Sequence, residues 1–186
     1  MKSEKLEENS ERWYDGSGRT ALFRAETERY MIRSTLCYIE RDGCYLMLYR
    51  NKKKDDPNAG KWVGIGGKFE PGESAEECLL REVREETGYI LTSYSFLGVV
   101  EFRNDAWEDE DMYLYLADGF EVPDGESFDC TEGDLKWIPK SEIPDLNLWA
   151  GDRYFLEPML RGEKNLDMRL TYSGDELISA EKHSMG

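Results

Sequence analysis

The segment EVREE, residues 82 to 86, carries three carboxylates in five positions. Ser74, with Glu77 three positions later, has the form of a capping box, and Gly88 supplies a stop, so residues 74 to 87 are predicted as a helix. Set Ala75 at zero and take about 100° per residue: Leu79 and Val83 fall within roughly 80° on one side, and Cys78 lies about 60° on the other. Glu82 and Glu86 project between them, roughly 20° either side of Ala75, with Glu85 at the edge of the same sector. The glutamates therefore stand on the side of the helix that faces the protein.

A charge run is most often a solvated face, and that is the plain alternative here. The angles argue against it, because Glu82 and Glu86 form an i, i+4 like-charge pair that costs about 0.2–0.5 kcal/mol when exposed and more when desolvated. Divalent cations offset such repulsion, and carboxylate oxygens are hard ligands suited to magnesium, which takes further ligands from water and substrate phosphates. Ahead of the helix, KWVGIGGKFEPGE places Gly64, Gly66, Gly67 and Gly72 in a loop where backbone can approach a ligand closely or simply turn. Helix and loop together read as a metal platform.

The rest of the chain bounds what that platform serves. With 186 residues, 39% of them apolar and 12% aromatic, the sequence suits one packed, soluble domain. A net charge of −16 repels a nucleic-acid backbone, so polymeric nucleic acid is not an expected partner. A small phosphate ligand bridged by metal ions remains compatible with it. No apolar run approaches the roughly 20 residues of a membrane span and the first residues lack the apolar centre of a secretory signal, so the expected location is cytoplasmic with no membrane partner. Cys37, Cys44, Cys78 and Cys130 form no CxxC pair and suggest neither zinc nor disulfides. The single histidine, His183, lies near the end of the chain, which leaves carboxylates as the candidate general bases.

Residues 1 to 29 read as an acidic N-terminal extension and 30 to 182 as the functional domain. Residues 31 to 40 and 44 to 51 read as a hairpin turning at Arg41-Asp42-Gly43. Residues 94 to 103, 111 to 118 and 134 to 139 read as further strands. A second helix is predicted over 151 to 162, interrupted by Pro158, and a closing hairpin around Ser173-Gly174-Asp175. The implied class is α+β with a mixed sheet.

Gly67, five residues, Glu73, seven residues, then Arg81-Glu82-Val83-Arg84-Glu85-Glu86-Thr87-Gly88 resembles the Nudix box of the Nudix hydrolases, with Tyr89 where an aliphatic residue is usual. The resemblance extends in element order over roughly residues 30 to 180. It implies an α/β/α sandwich with a mixed central sheet and hydrolysis of a nucleoside diphosphate linked to another group, with magnesium or manganese as cofactor. It assigns metal ligation to Glu82 and Glu86, with Glu85 as further ligand or base, and to the Gly66 carbonyl. Glu73 and Arg81 become a bracing ion pair. Glu110, ahead of a strand, is a candidate extra ligand, although EDED also fits a solvated acidic loop.

GKWVGIGGKFEPGES, LNLWAGDRYF and LDMRLTYSGDEL look like the corresponding segments of MutT-type oxidised-purine nucleoside triphosphate hydrolases. That match implies that Trp149 stacks on the base, Asp152 hydrogen-bonds its edge and Thr35 lines the pocket. Arg50 and Lys68 are the candidate substrate-binding cations. In competition, Trp149 suits a core anchor, Asp152 a helix cap and Arg50 an ordinary surface cation. Two positions depart from the pattern, Val63 at a base-reading asparagine and Gly151 at the first of two aspartates. The expectation is a pyrophosphohydrolase of a small nucleotide such as 8-oxo-dGTP, acting as monomer or homodimer. The rivals are an enzyme for ADP-ribose or a dinucleotide, and a nucleotide sensor without turnover.

Overall fold

Two-residue alternation along the first hairpin creates two layers of core. Strands β1 (Ile32–Arg41) and β2 (Cys44–Arg50) pair antiparallel across Asp42 and Gly43, whose φ angles of 51° and 74° suit a tight hairpin turn. Tyr38, Tyr45 and Met47 enter one core cluster, while Cys37, Ile39, Leu46 and Leu48 enter the other. The computed structural model describes residues 31–123 and 130–183, so the extension expected over 1 to 29 lies outside the described residues.

Strands β3 (Trp62–Val63), β4 (Ile90–Asn104), β5 (Glu110–Glu121), β6 (Gly133–Pro139), β7 (Met168–Ser173) and β8 (Glu176–Lys182) complete the sheet. Its order is β3-β2-β1-β5-β4-β7-β8, with β6 also paired to β2. β1 with β5 and β4 with β7 are parallel, and the other pairs are antiparallel. Helix α1 (Ala75–Thr87) buries Leu79 and Val83 in the Cys37 cluster, with Cys78 buried beside them. Helix α2 (Arg153–Leu160) buries Phe155, Leu156 and Met159 with the Tyr38 cluster on the other face. The architecture is thus the expected α+β sandwich around a mixed sheet.

Several elements differ from the sequence reading: β5 runs four residues longer than 111 to 118, α2 is shorter than 151 to 162, and two further differences have a clear cause. β4 starts at Ile90 and not at Tyr94, because bulges near Ser93 let a start interrupted by Thr92 and Ser93 keep pairing with β5. β3 has only two residues, Trp62 and Val63 opposite Tyr49 and Leu48, too few for any periodicity to register. The departure at Tyr89 also has a packing reason, since its ring stacks on Phe120 at 4.7 Å between centroids.

Candidate active site

Helix α1 is closed at both ends by its own residues. The Ser74 hydroxyl accepts from the Glu77 N–H at 3.2 Å, the Glu77 carboxylate accepts from the Ser74 N–H at 2.9 Å, and Gly88 ends the helix in the left-handed conformation at φ 73°. The glycine loop lies against β1 through hydrogen bonds from Thr35 N–H to Gly67 O at 2.9 Å and from Cys37 N–H to Ile65 O at 2.7 Å. The two central glycines leave no room for a side chain as the loop stands, Gly66 against backbone and Gly67 against a carboxylate. A Cβ on Gly66 would fall 2.0 Å from the Thr35 carbonyl oxygen, and one on Gly67 would fall 2.4 Å from Glu82 Oε1. The loop and the inward face of α1 are therefore in direct contact where the glutamates project.

Arg81 organises that contact. It grips Glu73 with two parallel bonds of 2.8 and 2.9 Å, reaches Glu82 at 2.7 Å and Glu85 at 3.2 Å, and donates to the Lys68 carbonyl at 3.1 Å. The hydrogen bonds from Arg81 hold the Glu73 carboxyl down to about 2. Glu86 is only 6% exposed and accepts from the Gly66 N–H at 3.0 Å, while the Glu85 side chain is 61% exposed. Burial raises Glu86 to about 8, against the Gly66 hydrogen bond and with the help of the nearby charges of Glu132 and Glu82. Glu82 is raised for the same leading reason, opposed by Arg81.

Glu132, immediately before β6, completes this group and has no counterpart in the motif reading. Burial pushes its carboxyl up, but the hydrogen bond from Lys53 and the charge of Arg50 outweigh that and hold it below the usual carboxylate range. Arg50 is committed to Glu132 and, at 2.6 Å, to Asp56. The pairing of Arg50 with Gly133 in the β2–β6 register brings these residues together. Glu110 sits apart with Ser34 and Lys68, its carboxyl raised by burial against both of those partners.

Among the described residues, no three His, Cys, Asp or Glu side chains converge closely enough to hold a metal ion unaided. The donors nonetheless fit magnesium or manganese. They are hard carboxylate oxygens, one is buried with a cost that a cation would relieve, and this chemistry leaves remaining positions to water and phosphate.

On the other face of β1, Trp149 and Asp152 lie three residues apart on the approach to α2. The Trp149 indole N–H donates to Asn58 Oδ1 at 2.8 Å, and the ring meets Trp107 and Tyr172 edge-on at 6.2 and 6.4 Å. Asp152 is buried at the N-cap position of α2, yet its side chain makes no capping hydrogen bond among the described residues. Burial raises its carboxyl to about 7, against the Trp149 peptide N–H and the charge of Lys61. The Tyr38 hydroxyl, whose charge would interact with Asp152, is buried without a partner among the described residues.

Thr35 is not brought to this group. Its hydroxyl lies 3.5 Å from Cys78 on the α1 side, because alternation sends Leu36 and Tyr38 to the α2 side and Thr35 away from it. Gly151 is explained by packing, since a Cβ there would fall 2.6 Å from the Tyr172 hydroxyl. A surface groove lined by Thr87, Tyr89, Val122 and Trp137 lies at the C-terminal end of α1, and none of the chemistry-bearing side chains lines it.

The NUDIX domain family matches residues 31–158. The Nudix hydrolase YvcI of Bacillus subtilis is 32% identical over 159 residues, covering 81% of this chain and 93% of that protein. An oxidized purine nucleoside triphosphate hydrolase of Danio rerio is 30% identical over 149 residues, covering 80% and 91%. The crystal structure of a MutT protein from Bacillus halodurans superposes with a TM-score of 0.69 at 28% identity, covering 81% of this chain and 96% of the other. With the box on α1, the glycine loop against β1 and this extent of likeness, the chain belongs to the Nudix hydrolase family.

Proposed function

We propose that this Nudix hydrolase cleaves an oxidised purine nucleoside triphosphate such as 8-oxo-dGTP to the monophosphate and pyrophosphate, as a cytoplasmic enzyme whose catalytic unit is residues 30 to 182. The observation that carries the reading is the buried Asp152 beside Trp149: a carboxyl that does not cap its helix and keeps acceptor capacity next to an aromatic residue suits a base with N–H donors. The likeness to the Danio rerio hydrolase supports the same substrate class.

In this reading Glu82 and Glu86, with Glu85, the Gly66 carbonyl and Glu110 as further candidates, hold magnesium or manganese. When bound, such ions polarise the phosphoanhydride and lower the pKa of water. Arg81 orients Glu82 and Glu85, while the Gly66 N–H orients Glu86. Lys68 and the Arg50–Glu132 pair border the phosphates. Water attacks the β-phosphorus in line, the bond to the oxygen bridging from the α-phosphate breaks, and the monophosphate leaves.

Hydrolysis of a panel containing 8-oxo-dGTP, dGTP, ADP-ribose and a dinucleoside polyphosphate tests this, with Glu86→Gln as the inactive control. Selective turnover of 8-oxo-dGTP with ¹⁸O from water recovered in pyrophosphate is the expected result. Preference for ADP-ribose would keep the metal platform and discard the base pocket, and tight binding without turnover would leave a sensor.

A further inference from the structure

Beside Trp149 stands a cation that the box chemistry does not use. Lys61 Nζ lies 4.9 Å from the Trp149 ring centroid and donates to Asn147 Oδ1 and the Leu148 carbonyl, both at 3.1 Å. Two of the three ammonium donors are thereby used, leaving one for a ligand. The same charge acts on the buried Asp152 carboxyl, which is held by the Trp149 peptide N–H, so a donor and an acceptor lie close to one aromatic residue.

The simplest alternative is a clip between the loop ending at Lys61 and the segment carrying Trp149. That junction is already held without the ammonium. Asn147 Nδ2 donates to the Gly60 carbonyl at 2.9 Å, the Trp62 N–H donates to the Asn147 carbonyl at 3.1 Å, and the Trp149 indole bonds Asn58. The indole face attracts the ammonium, so Lys61 is held beside Trp149 with a donor to spare that the junction does not need.

We propose that Lys61 is a specificity-determining residue that selects keto-purine nucleotides, its ammonium donating to the base carbonyl while Asp152 accepts from the adjacent ring N–H and the base stacks on Trp149. This inference rests on the base-pocket reading above. Guanine-type bases, oxidised or not, set a carbonyl acceptor beside an N–H donor, whereas adenine places an amino donor where the carbonyl would be. Adenine would turn a donor toward the ammonium and leave both unpaired, and a site built on hydrogen bonds discriminates strongly in that way.

The test is steady-state kinetics of the full chain with magnesium on 8-oxo-dGTP, dGTP, dITP and dATP. The wild type is compared with Lys61→Met, which keeps much of the apolar stem, and with Lys61→Arg, which restores the charge; thermal unfolding checks that each variant folds. Lys61→Met is expected to raise KM for the three keto-purines roughly tenfold or more, with kcat little changed and dATP unaffected, and Lys61→Arg to recover most of the loss. A uniform rise for every nucleotide would make Lys61 a phosphate or loop contact and overturn the proposal, as would no change for any. If the wild type itself ignores the base or prefers ADP-ribose, the base pocket falls and this inference with it. A wild type that discriminates beside a Lys61→Met that still does so removes only the role of Lys61.

Discussion

At the residue scale the most informative group is Asp152, a carboxyl kept from water without a capping role. Its neighbours are Lys61, the Trp149 peptide N–H and the Tyr38 and Tyr172 phenols, and burial prevails over the stabilising two. Raised to about 7 in the folded chain, against roughly 3.9 when unfolded, it binds a proton in the native state that the unfolded state releases. Its contribution is fully present below about pH 4 and is lost as the pH rises to about 7. Asp152→Asn should remove that dependence, gaining stability relative to wild type on the order of a few kcal/mol by neutral pH. Denaturant unfolding of both proteins at several pH values between about 4.5 and 7.5 checks this. Parallel stability curves would mean that the carboxyl is not raised.

At the element scale the junction of glycine loop and α1 separates stability from activity. Gly66→Ala drives a Cβ to within 2.0 Å of the Thr35 carbonyl, and strand backbone cannot yield cheaply, so a loss of about 1–3 kcal/mol or more is expected in thermal unfolding. Gly67→Ala meets the tip of Glu82, which can swing away. That variant should keep nearly the wild-type melting temperature while turnover falls roughly 100-fold through misplacement of the carboxylate. The helix itself depends on its cap: Ser74→Ala removes the bond to the Glu77 N–H and should cost about 1 kcal/mol. Equal losses of activity and stability in Gly67→Ala would show that the loop, and not Glu82, is what the glycine protects.

At the scale of the whole molecule the net charge of −16 opposes the compact state. Salt shortens the Debye length from about 30 Å at 0.01 M to about 8 Å at 0.15 M, so added sodium chloride should raise the melting temperature. A fall would mean that the cross-linking pairs Arg81–Glu73 and Arg50–Glu132 outweigh the general repulsion. The two helices lie on opposite faces. α1 carries the carboxylates on the Cys37 side and the α2 approach carries Trp149 on the Tyr38 side, so β1 lies between the proposed phosphate chemistry and the proposed base contacts.

The sequence by itself determined the box helix, its caps and the inward direction of Glu82 and Glu86, because i, i+4 spacing and capping are local and the helical repeat converts position directly into direction. Glu85, expected at the edge of that sector, is instead exposed. It also determined the layered class, since β1 and β2 carried a two-residue alternation that sends successive residues to opposite faces. Only the tertiary structure decided which side of β1 Thr35 faces, as a register choice of one residue exchanges the two faces. Only it brought Glu132 to Arg50, 82 residues apart, through the β2–β6 pairing, and set Lys61 over Trp149. Those contacts are made by loops and strand ends whose side chains follow no period, so their partners become visible only when the sheet has closed.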